Sequence, residues 1–478
     1  MLSSSKLTDL SNLGDLRSAL STLDPEQRLL PLDILKIEIS NDAHLHVAQA
    51  VHEALINSGK NLSDPKVNII TDKTPIRRDG ALLSEVVERQ LTKKFITKMI
   101  CLDDGHEKLH ADETVLDTAS AATKDCDVIV TIGSGTITDI GKIAALRNGD
   151  LPHVVVQTAA SVDGFTDNVS VVLQNGVKRT VPSRWPSIVL ADVVTIGTAP
   201  HEMNVAGLGE AISLFTAPAD WYLSFLLGLD KTFHPASLTM LQSTAAEPPN
   251  WAIGIANGEA EAVTELTRLL ALRGIVSGVS NTTACLSGVE HVISHMLDLH
   301  NAALNKPIGL HGAQVGVASL VASKLWREVI DTKIIQPELL RKPDVKKIEA
   351  QINSAFSHLG EAIVKECWRD AQKKHKSIID NWENFERLIN SWPQKAHEFE
   401  KLVTPSNTLR SALKMSGAPS SFQSLNPSIS IDITRWAVQN CFLMRNRFNL
   451  IDLLDLLGLW TEERISWALS DTLEGKSK

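Results

Sequence analysis

The chain has 478 residues, more than one ordinary hydrophobic core accommodates, so two domains are expected. A formal net charge of -9, with 43% hydrophobic and 22% charged residues, describes a globular chain without the basic face of a nucleic-acid binder. Cys101, Cys126, Cys285, Cys367 and Cys441 are scattered and form no CxxC pair, which speaks against a disulfide framework or a thiolate zinc site.

The first thirty residues carry Asp9, Asp15 and Asp24 and have neither the apolar core of a secretion signal nor the Arg-rich, acid-poor make-up of a transit peptide. No apolar run approaches the roughly 18–20 residues of a membrane span. The expectation is a soluble cytoplasmic protein. Neither nucleic acid nor membrane is expected as a partner, and a homo-oligomer is possible.

Taken in chain order, 66–71 (KVNIIT) is a short apolar run closed by Asp72, and 127–132 (DVIVTI) another closed by Gly133. Further runs lie at 153–157 and 187–191. Short β-branched runs separated by helical stretches such as 81–99 predict buried parallel strands in an α/β layer. After Pro200 the texture changes: 205–228, 258–278, 286–304 and 312–332 carry helical apolar spacing. The region 343–400, rich in Glu, Lys and Trp, predicts surface-exposed helices, with Lys373–Lys376 (KKHK) on a solvated face. Residues 404–428 read as a loop-rich insertion before a last helical stretch at 429–470. The predicted fold is an α/β dinucleotide-binding domain with a parallel sheet over 1–200, then an all-α domain over 201–478.

Residues 127–142 read DVIVTIGSGTITDIGK: a strand ending near Ile132, the turn Gly133-Ser134-Gly135, and a helix beginning near Thr136. Glycines permit positive φ and close approach of a ligand, and a helix start supplies N–H groups suited to a pyrophosphate. The stretch is neither the GxGxxG fingerprint nor a Walker loop, and taken alone such a turn is more often a plain strand–helix connection. Asp72, at the end of the earlier strand, is placed to bond an adenosine ribose and repel a 2′-phosphate, which favours NAD over NADP.

The most informative stretch is 287–316. His291 and His295 are four apart, on one face of a helix, and His311 begins the next helical stretch. Imidazoles from two helices plus one carboxylate form a metal tripod with an open position. Glu210, in the apolar stretch VAGLGEAIS, needs a partner that a divalent cation would supply. Spacing alone leaves open that these are ordinary surface or core histidines.

Several segments resemble the glycerol-1-phosphate dehydrogenases, within the superfamily that includes glycerol dehydrogenase, iron-containing alcohol dehydrogenases and dehydroquinate synthase. They are GSGTITDIGK (133–142), QTAASVDGFTDN (157–168), GVKRTVPSRWPSIVLAD (176–192), AGLGEAISLFTAPADW (206–221), SGVEHVISH (287–295), LHGAQVGVASL (310–320) and RNRFNLIDLLDLLGL (445–459), in the family's order. The resemblance implies an active site between an α/β and a helical domain. It implies Glu210, His291 and His311 as ligands of Zn²⁺ or Fe²⁺, His295 as the acid/base or proton-relay group, and Asp163 as a substrate contact. Gly133, Ser134, Gly135, Thr136 and Asp139 would surround the pyrophosphate, with Thr158 and Ser161 on the nicotinamide side. The implied chemistry is NAD-linked interconversion of a small polyol or alcohol, such as glycerol 1-phosphate, with its ketone or aldehyde.

Two departures stand out. The family usually carries Asp where this chain has Glu210, the residue found in dehydroquinate synthase. The family also reads close to SRPASGSEH before the first histidine ligand, whereas this chain reads TACLSGVEH, without the Arg. Arg suits planar phosphate recognition, so the phosphorylation state of the substrate stays open, although Lys178 and Arg179 keep positive charge in the 176–192 segment. The alternatives are a dehydroquinate-synthase-like NAD- and metal-dependent cyclase or lyase, and a non-catalytic NAD-binding relative.

Overall fold

The computed structural model describes residues 4–60, 63–174, 177–245 and 249–473. The chain divides into two compact units: Met1–Gly207 with Trp251–Asn281, and Leu208–Asn250 with Thr282–Lys478. Residues 251–281, expected with the helical domain, count with the first unit.

The first unit is built on a six-stranded sheet in the order Lys36–Ser40, Ile188–Asp192, His153–Gln157, Val128–Gly133, Lys66–Asp72, Ile96–Leu102. Every neighbouring pair is parallel. Alternate side chains serve two separate cores. Val67, Ile69, Val128, Val130, Val154 and Val156 pack with the Val47–Asn57 and Leu83–Leu91 helices on one face. Ile70 and Ile129 pack with Val115, Ala119, Ile140 and Ala144 from the Glu113–Ala122 and Gly135–Arg147 helices on the other. Burial on both faces is why these central strands are continuous apolar runs.

The two edge strands were not expected. Ile96–Leu102 falls partly inside the stretch predicted as helix 81–99, of which only Leu83–Leu91 is helical. Its burial is mostly on one side, so Thr97 and Lys98 break the apolar run that marks the inner strands. An antiparallel hairpin, Val169–Gln174 with Val177–Pro182, stands beside the main sheet.

The second unit is helical, around a core that includes Trp326, Phe356, Phe385 and Phe399. Two expectations are corrected here. The 343–400 helices are amphipathic rather than merely surface-exposed, because Ile348, Ile352, Ile378, Leu388 and Trp392 join that core. Within KKHK, Lys373 and Lys376 are solvated, but Lys374 and His375 point inward and Lys374 pairs with Asp452 at 2.7 Å. The 404–428 segment contains the Ser406–Met415 helix, whose Leu409 and Leu413 are buried. No helix among the described residues is long and apolar enough to cross a membrane.

Candidate functional site

In the second unit, Glu210 near the end of the His201–Ile212 helix meets His291 from Val289–Ala303 and His311 at the start of His311–Asp331. One ligand atom from each lies within 4.8 Å of the others. His291 Nε2 is 3.2 Å from Glu210 Oε1, and His311 Nε2 is 3.8 Å from Glu210 Oε2. Glycine explains the proximity. A Cβ on Gly209 would fall 2.2 Å from the Gly312 carbonyl oxygen, so the two helices touch backbone to backbone there.

Groups behind the ligands fix which ring nitrogen faces Glu210. Glu290, fully buried, lies 2.9 Å from His291 Nδ1 and accepts from Gly288 N at 2.7 Å and Thr216 Oγ1 at 3.1 Å. Ser294 Oγ donates to Gln314 Oε1 at 2.7 Å, so it accepts from His311 Nδ1–H at 2.9 Å. Both imidazoles therefore spend Nδ1 on a partner and present Nε2 to Glu210, the arrangement that supports metal-bound histidine. Burial pushes the His291 imidazole down, but the charges and hydrogen bonds of Glu210 and Glu290 outweigh it and raise it to about 9. This centre attracts positive charge. Two imidazoles and a carboxylate, buried or half-buried, fit a divalent cation.

His295 stacks on His311, with ring centroids 5.3 Å apart. Burial, and then the charge of Arg445, hold it well below the usual imidazole range, so it is a neutral base at pH 7. Asp298 joins it: ligand atoms of His295, Asp298 and His311 lie within 4.8 Å of one another. Sequence reasoning missed Asp298, although it lies seven residues after His291 on the same helix face.

In the first unit, Asp72 and Gly133 end adjacent strands, so the loops that follow leave the same edge of the sheet. Asp72 Oδ1 accepts from Thr74 N at 2.9 Å. Ser134 is the N-cap of Gly135–Arg147 but makes no side-chain cap, and Thr136 lies in the first turn. Neither Gly133 nor Gly135 takes a positive φ, contrary to expectation. They are glycine for closeness: a Cβ would lie 2.8 Å from Ile137 at Gly133 and 2.7 Å from Val162 at Gly135. Thr158 N donates to Gly133 O at 3.2 Å, tying the next loop, with buried Thr158 and Ser161, to this turn.

Two predicted residues have protein partners. Asp139 pairs with Lys142 at 3.0 Å and accepts from Val171 N at 3.1 Å. Lys142, fully buried, also reaches Asp167 at 2.7 Å and Gly164 O at 2.8 Å, and so fastens the segment after Asp163. Asp163 Oδ2 is held by buried Arg273, with Nε and Nη2 each at 3.2 Å. Neither cation was singled out from sequence, because both sit inside helices and act on distant segments. Arg179 is exposed, and the Lys178 side chain lies outside the described residues. One further group, Asp104, His106 and His110, occupies the loop after Ile96–Leu102, where Asp104 is engaged by the backbone of His106 and His110.

A family model described as iron-containing alcohol dehydrogenase matches residues 47–200. The chain is 32% identical over 345 residues to glycerol-1-phosphate dehydrogenase (NAD(P)+) of Bacillus subtilis (strain 168), covering 72% of this chain and 82% of that one. It is 29% identical over 304 residues to the enzyme of the same name from Bacillus licheniformis, covering 64% and 73%. Among solved structures, a probable glycerol dehydrogenase from Sinorhizobium meliloti 1021 aligns with a TM-score of 0.55 at 13% identity, over 91% of this chain and 98% of that chain. At that identity the likeness concerns the fold alone.

Proposed function

The chain belongs to the glycerol-1-phosphate dehydrogenase family, within the iron-containing alcohol dehydrogenases, and from that premise we propose a metal-dependent, NAD-linked dehydrogenase. It interconverts glycerol 1-phosphate, or a closely related small polyol, with its ketone or aldehyde. The observation that carries this is the convergence of Glu210, His291 and His311, each histidine turned by a partner on Nδ1.

Those three residues would hold the metal, for which two imidazoles and a carboxylate suit Zn²⁺ or Fe²⁺. A divalent cation there would supply Lewis acidity that lowers the pKa of a substrate hydroxyl, and the dinucleotide would supply the hydride acceptor. His295 takes the hydroxyl proton at a ring nitrogen, beside Asp298. The turn 133–136 would offer the N–H groups of a helix start to the pyrophosphate, and Thr158 and Ser161 would lie on the nicotinamide side. Asp72 would accept from the adenosine ribose hydroxyls and disfavour a 2′-phosphate, which would make NAD the preferred form. Asp163, steadied by Arg273, orients the substrate.

The test is NADH absorbance with glycerol 1-phosphate, glycerol and a panel of alcohols, on protein loaded with Zn²⁺ or Fe²⁺. Stoichiometric NADH supports the reading. Glu210, the acid of dehydroquinate synthase, favours a second reading, a cyclase that returns its hydride within the cycle. Product formed without net NADH would establish that one and remove the first.

A further inference from the structure

The loop after the Ile96–Leu102 strand reads DDGHEKLHAD over 103–112 and gathers a further set of metal-ligating side chains. These residues belong to the first unit, whereas Glu210, His291 and His311 belong to the second. Ligand atoms of Asp104, His106 and His110 lie within 4.8 Å of one another. The loop is folded around Asp104. Its Oδ1 accepts from His106 N at 3.0 Å, and its Oδ2 accepts from His110 N at 2.9 Å and lies 2.8 Å from His110 Nδ1. Asp103 Oδ1 accepts from Gly105 N at 3.0 Å, and Gly105 takes a φ of +79°, which favours glycine. The far end of the loop is tied down as well: Leu109 packs against the core on one face of the sheet, and Ala111 O accepts from Leu173 N at 2.9 Å.

A role in closing the loop accounts for Asp104 and His110 but not for the His106 side chain. That ring stands edge-on to His110 with centroids 5.1 Å apart, and it makes no hydrogen bond among the described residues. Both imidazoles are exposed, while the Asp104 side chain beneath them is only 6% exposed. Tetrahedral Zn²⁺, with bonds of about 2.0–2.2 Å, keeps its ligand atoms about 3.3 Å apart. The contact between His110 Nδ1 and Asp104 therefore needs to open only slightly as a cation takes the place of the proton between them. The carboxylate supplies a fixed negative charge, the two rings supply nitrogen donors, and solvent completes the shell. Imidazole donors select transition-metal ions over Mg²⁺ and Ca²⁺, which take oxygen ligands.

We propose that Asp104, His106 and His110 form a second, solvent-accessible site for a divalent transition-metal ion of the Zn²⁺ class. All three ligands lie within one short loop of one unit, so the site is complete without any other part of the chain. A bound ion stiffens a loop that the Lys73–Asp103 ion pair links to the end of the neighbouring strand, next to Asp72.

The experiment titrates Zn²⁺ calorimetrically into metal-free, full-length wild type, His106→Gln, His106→Gln/His110→Gln and His311→Ala. Thermal unfolding in the presence of chelator checks that each variant is folded. The double variant should bind one Zn²⁺ fewer than wild type, and His311→Ala should lose a different one. His106→Gln should weaken the loop site at least about tenfold, as loss of a direct ligand costs no less than loss of a group behind one. Excess Mg²⁺ should leave Zn²⁺ in place at this site. Unchanged stoichiometry in the double variant overturns the proposal, as does wild-type affinity in His106→Gln or displacement of the ion by Mg²⁺. If the double variant fails to fold, His106→Gln decides the matter, because it removes no hydrogen bond from the loop. Loss of an ion in the double variant with none in His311→Ala upholds this site and counts against the Glu210 tripod, so the two sites fail separately.

Discussion

Glu290 stands behind His291, 2.9 Å from Nδ1, while Nε2 on the other side of the ring meets Glu210 at 3.2 Å. The adjacent carboxylate thus sets both the tautomer and the aim of the histidine without facing the ligand centre itself. Replacing Glu290 by Gln should weaken binding of Zn²⁺ or Fe²⁺ about 10- to 100-fold. Chelator competition measures this, and an affinity equal to wild type would show that Glu290 has only a packing role.

Gly209 and Gly312 touch at the backbone, so Gly209→Ala should force the Glu210 and His311 helices apart. A Cβ 2.2 Å from a carbonyl oxygen leaves no room for relaxation of a side chain alone. Stability should fall by about 1–3 kcal/mol, and bound metal should fall with it. Metal content by elemental analysis and the thermal midpoint are the readouts, and a variant normal in both contradicts the close-approach argument.

The Arg273–Asp163 pair joins an almost fully buried guanidinium to a carboxylate with a side chain only 24% exposed. Arg273→Leu should cost about 3 kcal/mol, because it leaves Asp163 without its ion-pair partner in a largely buried place. Asp163→Asn in the same background should cost less than it does in the wild type. A double-mutant cycle on denaturant midpoints tests the coupling, and additive losses would deny it.

His375 is buried, and its Nδ1 has no hydrogen-bond partner among the described residues. Burial, and then the charge of Lys374, lower it to about 4. A folded-state value below the ordinary 6.5 contributes stability that is present above pH 6.5 and is lost as pH falls toward 4. The loss at pH 5 should be about 1–2 kcal/mol after allowance for partial solvent access. Thermal midpoints from pH 7 to 4.5 should fall less steeply in His375→Gln than in wild type. Identical slopes would assign the acid sensitivity elsewhere.

Asp72 closes its strand beside the glycine turn, with one carboxylate oxygen bonded to Thr74 N. Asp72→Ser removes the negative charge that a 2′-phosphate would meet, and should raise kcat/KM for NADP relative to NAD at least about tenfold. An unchanged ratio would place cofactor choice at another residue.

How much was legible in the sequence follows burial. The four inner strands were read from continuous apolar runs because their side chains are buried on both faces. Both missed strands, Lys36–Ser40 and Ile96–Leu102, are the two edges of the sheet, where partial exposure lets polar residues interrupt the run. The 343–400 helices were assigned to the surface because their charged residues dominate the composition, although one face of each is apolar.

By itself the sequence determined the parallel α/β unit, the helical unit after it, and the residue types and order of the candidate metal tripod. Those features lie in periodicity and local motifs, within a turn or two of chain. The tertiary structure decided what the charged residues do. Arg273 meets Asp163 across 110 residues, Lys142 meets Asp167 across 25, and Arg447 meets Ser287 across 160. A buried cation is stable only beside the acceptor that replaces its water, and which acceptor that is depends on packing that no local pattern encodes.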